Sequence, residues 1–490
     1  MMTPAPMSPV ADDPEVPVER ELNVLRISLC LPGFSETGQL GAVTPGDKTR
    51  VSFEISIRGE MVGSLEATSE ELGLPLTLGQ ARESQSDESA FHLPGHILAA
   101  LESVAPRDGW PLWLSFPRYS GYLPVLPWEP LLKSRLDIPI LRLSYTDVQP
   151  IGSSETRDVA VCFSFPRAKE FLAASSRQYQ APERTIRYFF DRIPPNLAPY
   201  STFHVFADRE MYPVLTSVRD QNPTFRIVVY DAGNAANYHA PDADPELSAA
   251  SFEAVDSPWL VWIRDALGET SVDLVHFISH GYLGKEEGFL AVSHSLVSND
   301  EEEWSRFIGA RQLCTFLDQV GAWSVAFSSP QGNYSISGLR MLQDQIARMR
   351  PGPVLFHDVA RDPERAGWDA AFQYTYALEE AEAPLSEAVS LCCHPDWALP
   401  GTAPDTKTQQ LLKELTVAGR MPDVFERGEN TPSWLASGQR ALERSVARLF
   451  DASSESTDQV MSGGAADALR FAAKLLQRHA AKIAGDLKKQ

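Results

Sequence analysis

The chain has 490 residues, 43% hydrophobic and 22% charged, a globular composition too long for one ordinary core and sized for two or three domains. A formal charge of −22 without a concentrated basic patch repels phosphate backbones and excludes nucleic acid as a partner. Five cysteines, an odd number, fit a reducing cytoplasm better than a disulfide framework, while a proline-rich acidic start and the lack of a membrane-length apolar run argue against a signal peptide and a membrane partner.

Residues 1–20 carry Pro4, Pro6, Pro9, Pro14 and Pro17 among Asp12, Asp13 and Glu15, a composition that predicts a disordered tail. Residues 21–150 read as a β-rich entry region. Alternation from Leu22 to Leu29, then Thr49 to Ile57 and Met61 to Ala67, predicts antiparallel strands separated by Gly/Pro/Asp turns. A helix follows at His92 to Val104, with strands at Leu112 to Phe116 and Ile138 to Ser144. Between these lies Leu126-Pro-Trp-Glu-Pro-Leu-Leu132, which either docks Trp128 and Leu132 onto the following core or forms a turn anchored by a buried tryptophan.

Beyond Pro150 the periodicity changes. Short continuous apolar runs at Val159 to Phe165, Phe203 to Phe206, Ile227 to Tyr230, Val272 to Ile278, Val325 to Phe327 and Pro353 to Asp358 read as buried strands. Helical patterns interleave at Pro182 to Ile193, Pro258 to Leu267, Phe307 to Val320, Ser337 to Met349 and Trp368 to Leu378. Strands alternating with helices imply an α/β core over residues 151–382, doubly wound around a mainly parallel sheet. Residues 383–490 are expected to be helical, with strands ending at about Pro384 and amphipathic helices at Thr408 to Val417, Ser433 to Phe450 and Ala465 to Leu487. The last carries Leu469, Leu475, Leu476 and Ile483 along one stripe, with Arg470, Lys474, Arg478 and Lys482 elsewhere. That pattern suits packing on the chain's own core or on an acidic partner protein.

Candidate chemistry concentrates at two strand ends. The run from Val272 delivers His280-Gly281 to the carboxyl end of one core strand, and the run from Trp323 delivers Ser328-Ser329 to the end of another, before Pro330-Gln-Gly332. In open α/β sheets that edge forms the ligand crevice. His357-Asp358 ends a third strand on the same edge and is expected to line the pocket. Local readings compete: His280 as a loop-capping histidine, and the serine pair as a turn with hydroxyl-to-backbone bonds. His394 with Cys392, Cys393 and Asp396 lacks the spaced ligand pairs of a zinc site, and the lone glycine of Gly233-Asn234 is no phosphate loop. No cofactor or metal is expected.

Three pieces together resemble the CHAT group of caspase-like peptidases: Leu126 to Leu132, like that family's Pro-Trp-Glu-Leu-Leu element; Val275-His-Phe-Ile-Ser-His280-Gly281, like its His-Gly strand; and Val325 to Gly332, in the place of its nucleophile strand. The 49-residue interval from His280 to Ser329 is near the roughly 50-residue His-to-Cys spacing of caspases. The resemblance implies a caspase-like fold with His280 as base, Ser329 in the position of the nucleophilic cysteine, the amides of Gly281 and Ser329 as oxyanion donors, and Ser328, His357 and Asp358 in the cleft.

A serine hydroxyl must lose its proton during attack, whereas a thiol can ionise beforehand, and Asp273 lies at the wrong end of the histidine strand to orient the base. Three readings follow. The preferred one is a pseudopeptidase that binds a protein or peptide in its cleft, as a component of a bacterial defence or death-signalling system. The others are a cysteine endopeptidase whose nucleophile has been exchanged for serine, and an interaction protein acting through its entry sheet and C-terminal helices.

Overall fold

The computed structural model describes residues 22–30, 50–74, 91–104, 111–117, 121–144, 157–166, 182–235, 255–296, 305–330, 336–362, 366–375 and 387–393, apart from isolated residues and pairs within them. The expected tail and the three C-terminal helices lie outside this set, as do His394 and Asp396.

The strands are β1 (Asn23–Cys30), β2 (Arg50–Ile57), β3 (Glu60–Thr68), β4 (Leu112–Ser115), β5 (Ile140–Leu143), β6 (Arg157–Ser164), β7 (Ser201–Ala207), β8 (Arg226–Val229), β9 (Leu274–Leu283), β10 (Gly288–Ser293), β11 (Ser305–Gly309), β12 (Ser324–Ser329), β13 (Val354–Asp358) and β14 (Val389–Cys393). They form one sheet ordered β3-β2-β1-β4-β5-β14-β13-β12-β9-β6-β7-β8, with β10 and β11 branching from β9. From β13 to β8 all neighbours are parallel, and β1, β4, β5 and β14 form a second parallel block. The blocks meet head to tail at the antiparallel pair β13/β14.

The apolar runs are continuous because the central strands are covered on both faces. Along β9, Val275 and Phe277 face one core while Leu274 and Ile278 face the other. The first core is closed by helices α5 (Pro258–Leu267), α6 (Ala310–Gln319) and α7 (Ile336–Met349), through residues such as Trp262, Phe316 and Leu342. The second is closed by α3 (Pro182–Arg192), α4 (Tyr212–Gln221) and α8 (Ala366–Ala371), through Phe189, Leu215 and Trp368. A third cluster packs α1 (Gly95–Val104) and α2 (Trp128–Lys133) against β1, β2, β4 and β5.

The antiparallel reading of the first three entry strands holds across β1-β2-β3, while β4 and β5 join in parallel after helical crossovers. Two expectations are corrected. Strands do not stop before residue 383: Val389 to Cys393, all buried, fill the centre of the sheet. Phe307 does not open a helix, because Ser305–Gly309 pairs with β10 and the helix starts at Ala310, after Gly309 in extended conformation. Of the two readings of Leu126 to Leu132, the locally anchored tryptophan holds: Trp128 sits in the entry cluster rather than on the following core, ringed by Phe91 at 4.9 Å and Phe53 at 6.1 Å, its indole donating to the Leu123 carbonyl at 2.6 Å. The β10–β11 hairpin and α4 were not anticipated.

Candidate functional site

From β6 the crossovers proceed outward through β7 to β8; from β9 they proceed the other way, through β12 to β13. The carboxyl ends of β6 and β9 therefore flank a topological switch point, where the loops of an open α/β sheet separate to form a crevice. Ser164, Ser279, His280, Ser328, Ser329, His357 and Asp358 all lie at this edge.

His280 does not end its strand. Pairing of β9 with β12 extends to Ile278 and with β6 to Ser279, and from His280 onward the same strand pairs antiparallel with β10, His280 opposite Ala291 and Gly281 opposite Leu290. His280 is thus the first residue where β9 leaves the parallel sheet, and Gly281 is strand rather than loop. The imidazole is buried, and that burial lowers its pKa to about 4, leaving it neutral near pH 7.

Ser329 ends the neighbouring strand, its hydroxyl donating to the Pro330 carbonyl at 3.2 Å. Ser328 stands opposite Ile278, so Ser329 comes level with Ser279, one step short of His280. The pleat turns side chains to alternate faces, so this offset sends Ser329 and His280 to opposite sides of the sheet.

Ser328 and His357, opposite one another in register, meet as side chains instead. Ser328 Oγ lies 2.8 Å from His276 Nε2 and 3.4 Å from His357 Nδ1, and His357 Nε2 lies 2.9 Å from Asp362 Oδ2, which also accepts the Gly367 amide at 2.9 Å. Asp362 accepts from His357 Nε2, and the Ser328 hydroxyl bridges His357 Nδ1 and His276 Nε2. Burial, reinforced by His357, depresses the His276 pKa to about 3, so its ring is neutral. Hydroxyl, imidazole and carboxylate stand in the order of a hydrolase triad. Yet His276, Ser328 and His357 are all 0% exposed, under Trp368, whose ring centroid is 4.7 Å from that of His357. The set therefore cross-links β9, β12, β13 and the start of α8. His276 and Asp362 were missed in the sequence, where His276 alone left a signal, as a polar residue interrupting a buried apolar run.

Asp358 is buried too. That burial raises its pKa, opposed by Arg340 and Arg361, and its Oδ1 accepts the Arg361 amide at 3.4 Å. Across the switch point, Asp208 Oδ2 accepts from Ser293 Oγ at 3.0 Å and from the Phe165 amide at 3.2 Å, while Ser164 Oγ accepts from the Ser293 amide at 2.8 Å. Ser279 Oγ donates to the Ala291 carbonyl at 2.5 Å, tying the departing end of β9 to β10.

The glutamate of the Pro-Trp-Glu element supplies the link that the tryptophan does not. Glu129 is buried between Arg142 of β5, bonded at 2.6 and 3.1 Å, and Arg340 of α7, at 3.0 Å. Burial alone would raise the carboxyl pKa, but the two guanidinium groups more than reverse it and hold it at about 2. Arg142 is moved up by Glu129 against its own burial, whereas Arg340 is moved down because burial and Arg142 outweigh the same carboxylate. Both stay charged at neutral pH, as guanidinium groups do. The helix that follows the Ser329 loop is thereby fastened to the entry region.

Of the other sequence candidates, the Gly233 amide donates to Asp231 Oδ1 at 2.7 Å in a local turn, and Cys392 and Cys393 are buried in β14. Compared with protein-family models, curated proteins and solved structures, the chain matches none.

Proposed function

We propose that this chain is a CHAT-like module of caspase fold that acts by binding a protein or peptide at the carboxyl edge of its parallel sheet, a pseudopeptidase serving as an assembly component in a bacterial defence or death-signalling system. The observation that carries the reading is the state of its thiols. A cysteine peptidase needs a thiolate beside its histidine. All five cysteines lie elsewhere: Cys30 on β1, Cys162 on β6 opposite Phe277, Cys314 on α6, and Cys392 and Cys393 on β14. Burial raises every one of their pKa values, with Cys314 pushed to about 12. The nucleophile position holds Ser329, one residue out of step with His280. Glu129, in the motif that the family resemblance singles out, joins the entry region to α7, which suits a module whose work is to hold parts together.

The test is peptide turnover. The unaltered protein, incubated with a mixed library of fluorogenic peptides, is expected to give no cleavage, and a folded Ser329→Cys variant is expected to stay inert. Turnover by Ser329→Cys would instead favour the endopeptidase with an exchanged nucleophile. Hydrolysis by the unaltered chain that Ser329→Ala abolishes would overturn both readings.

A further inference from the structure

Helix α5 follows Ser257 and runs from the carboxyl side of the sheet back to the amino end of β9, so its N-terminus lies on the same edge as the switch point. Ser257 occupies the N-cap position with extended backbone (φ −65°, ψ 121°), but its side chain makes no capping bond. Its Oγ is buried, at 2% residue exposure, and has no hydrogen-bond partner. Two residues on, in the first turn, Trp259 is also 2% exposed, and its indole Nε1 is likewise unpartnered.

The backbone adds to this deficit. The first helical bond runs from the Val261 amide to the Ser257 carbonyl at 2.9 Å, so the amides of Trp259 and Leu260 have no acceptor within the helix; Pro258 at the first position has no N–H to satisfy. Indole Nε1 can only donate, and buried donors in native proteins are nearly always matched. The first turn of α5 and its N-cap thus carry two unmatched side-chain donors and two amides lacking helical acceptors, at the positive end of the helix dipole.

Trp259 packs in the same cluster as Ala232, Val255 and Leu296, and the Leu296 carbonyl accepts the amide of Arg209, an exposed residue that begins the turn after β7. The carboxylate of Asp208, the residue before Arg209, is engaged by Ser293 and the Phe165 amide.

We propose that the N-terminus of α5 is an oxyanion-binding site, in which Ser257 Oγ and Trp259 Nε1 donate to the oxygens of one carboxylate or phosphate group. The inference stands on α5 alone and does not depend on what the His280–Ser329 edge binds. The group can come from an acidic side chain of a docked peptide or from free phosphate.

Isothermal titration of the full chain with acetyl-triglutamate amide and, separately, with inorganic phosphate distinguishes the sources. Saturable binding of the peptide alone identifies a peptide carboxylate, and binding of phosphate identifies a free anion. Ser257→Ala and Trp259→Phe are each expected to weaken binding about tenfold, the loss of one hydrogen bond to a charged group, with circular dichroism unchanged. Ser257→Thr, which keeps the hydroxyl, is expected to bind like the unaltered chain, and Ser257→Gly, a competent N-cap without a side-chain donor, to bind like the alanine variant. No saturable binding of either probe, or equal affinity in the alanine, glycine and phenylalanine variants, would overturn the assignment.

Discussion

Replacing Glu129 with glutamine is expected to cost about 3–5 kcal/mol, the loss seen when one member of a buried ion pair is removed, and to lower the melting temperature by roughly 10 °C. The side-chain volume is kept, so packing is not the cause. Arg142 and Arg340 would remain desolvated with no carboxylate between them, and Arg340 is already held down by its burial beside Arg142. The sign with pH follows from the same site. The folded pKa of about 2 lies below the ordinary value of 4.5, so the stabilisation is complete above about pH 4.5 and drains away as pH falls toward 2. Denaturant unfolding of both proteins from pH 7 to pH 2.5 measures it: the difference between them should shrink over the acid limb. An unchanged melting temperature at pH 7 would show that the entry region is not held to α7 through this carboxylate.

The second large effect is expected from Gly338→Ala. In an ordinary exposed helix this change stabilises by up to about 1 kcal/mol, because alanine loses less backbone freedom than glycine. Here an added Cβ would lie 2.4 Å from the backbone N and C of Tyr282, and the Cβ of the facing Gly288 would lie 2.2 Å from the Gly338 carbonyl oxygen. Backbone cannot rotate aside as a flexible side chain can, so α7 must move off the end of β9. The overpacking cost of about 1–3 kcal/mol or more exceeds the helical gain, giving net destabilisation. Gly95→Ala in α1, whose added Cβ meets nothing within 4 Å, serves as the comparison and is expected to be neutral or mildly stabilising. Amide hydrogen exchange at Tyr282 and Leu283 should accelerate in the first variant and not in the second. Unchanged protection in Gly338→Ala would mean that the helix does not press on the strand bearing His280.

Much of the sheet was legible because its central strands obey a simple rule: a run such as Val159 to Phe163, buried on both faces, must be apolar at every position. The helix at Pro258 to Leu267 was legible to the residue because proline sets its first turn and Gly268, at φ 57°, follows its last. Failures came where a segment is a strand only because of its pairing partners. Nothing local in Val389-Ser-Leu-Cys-Cys393 says that β5 and β13 will bracket it, and Phe307-Ile308 can serve a helix or a strand until β10 is there to pair with it. The candidate site was read as an edge. Its side chains were not, because register decides which face each residue takes, and a one-residue offset separates Ser329 from His280 while bringing Ser328 to His357. Glu129 shows the same limit: an acidic residue beside a tryptophan gives no sign that its cations lie 13 and 211 positions away.

The position of β14 has a consequence for how the protein is made. The entry strands emerge from the ribosome first and the parallel core next, yet the strand that joins them is finished only at Cys393. Until then β5 and β13 each present a bare edge, and a bare edge recruits any strand within reach, including those of a neighbouring nascent chain. At roughly 5–20 residues per second, the interval between completing β5 and completing β14 is on the order of tens of seconds. Vectorial synthesis therefore leaves this sheet open at its middle until Cys393 is made, and a chain ending before Val389 would hold two half-sheets with no strand to join them.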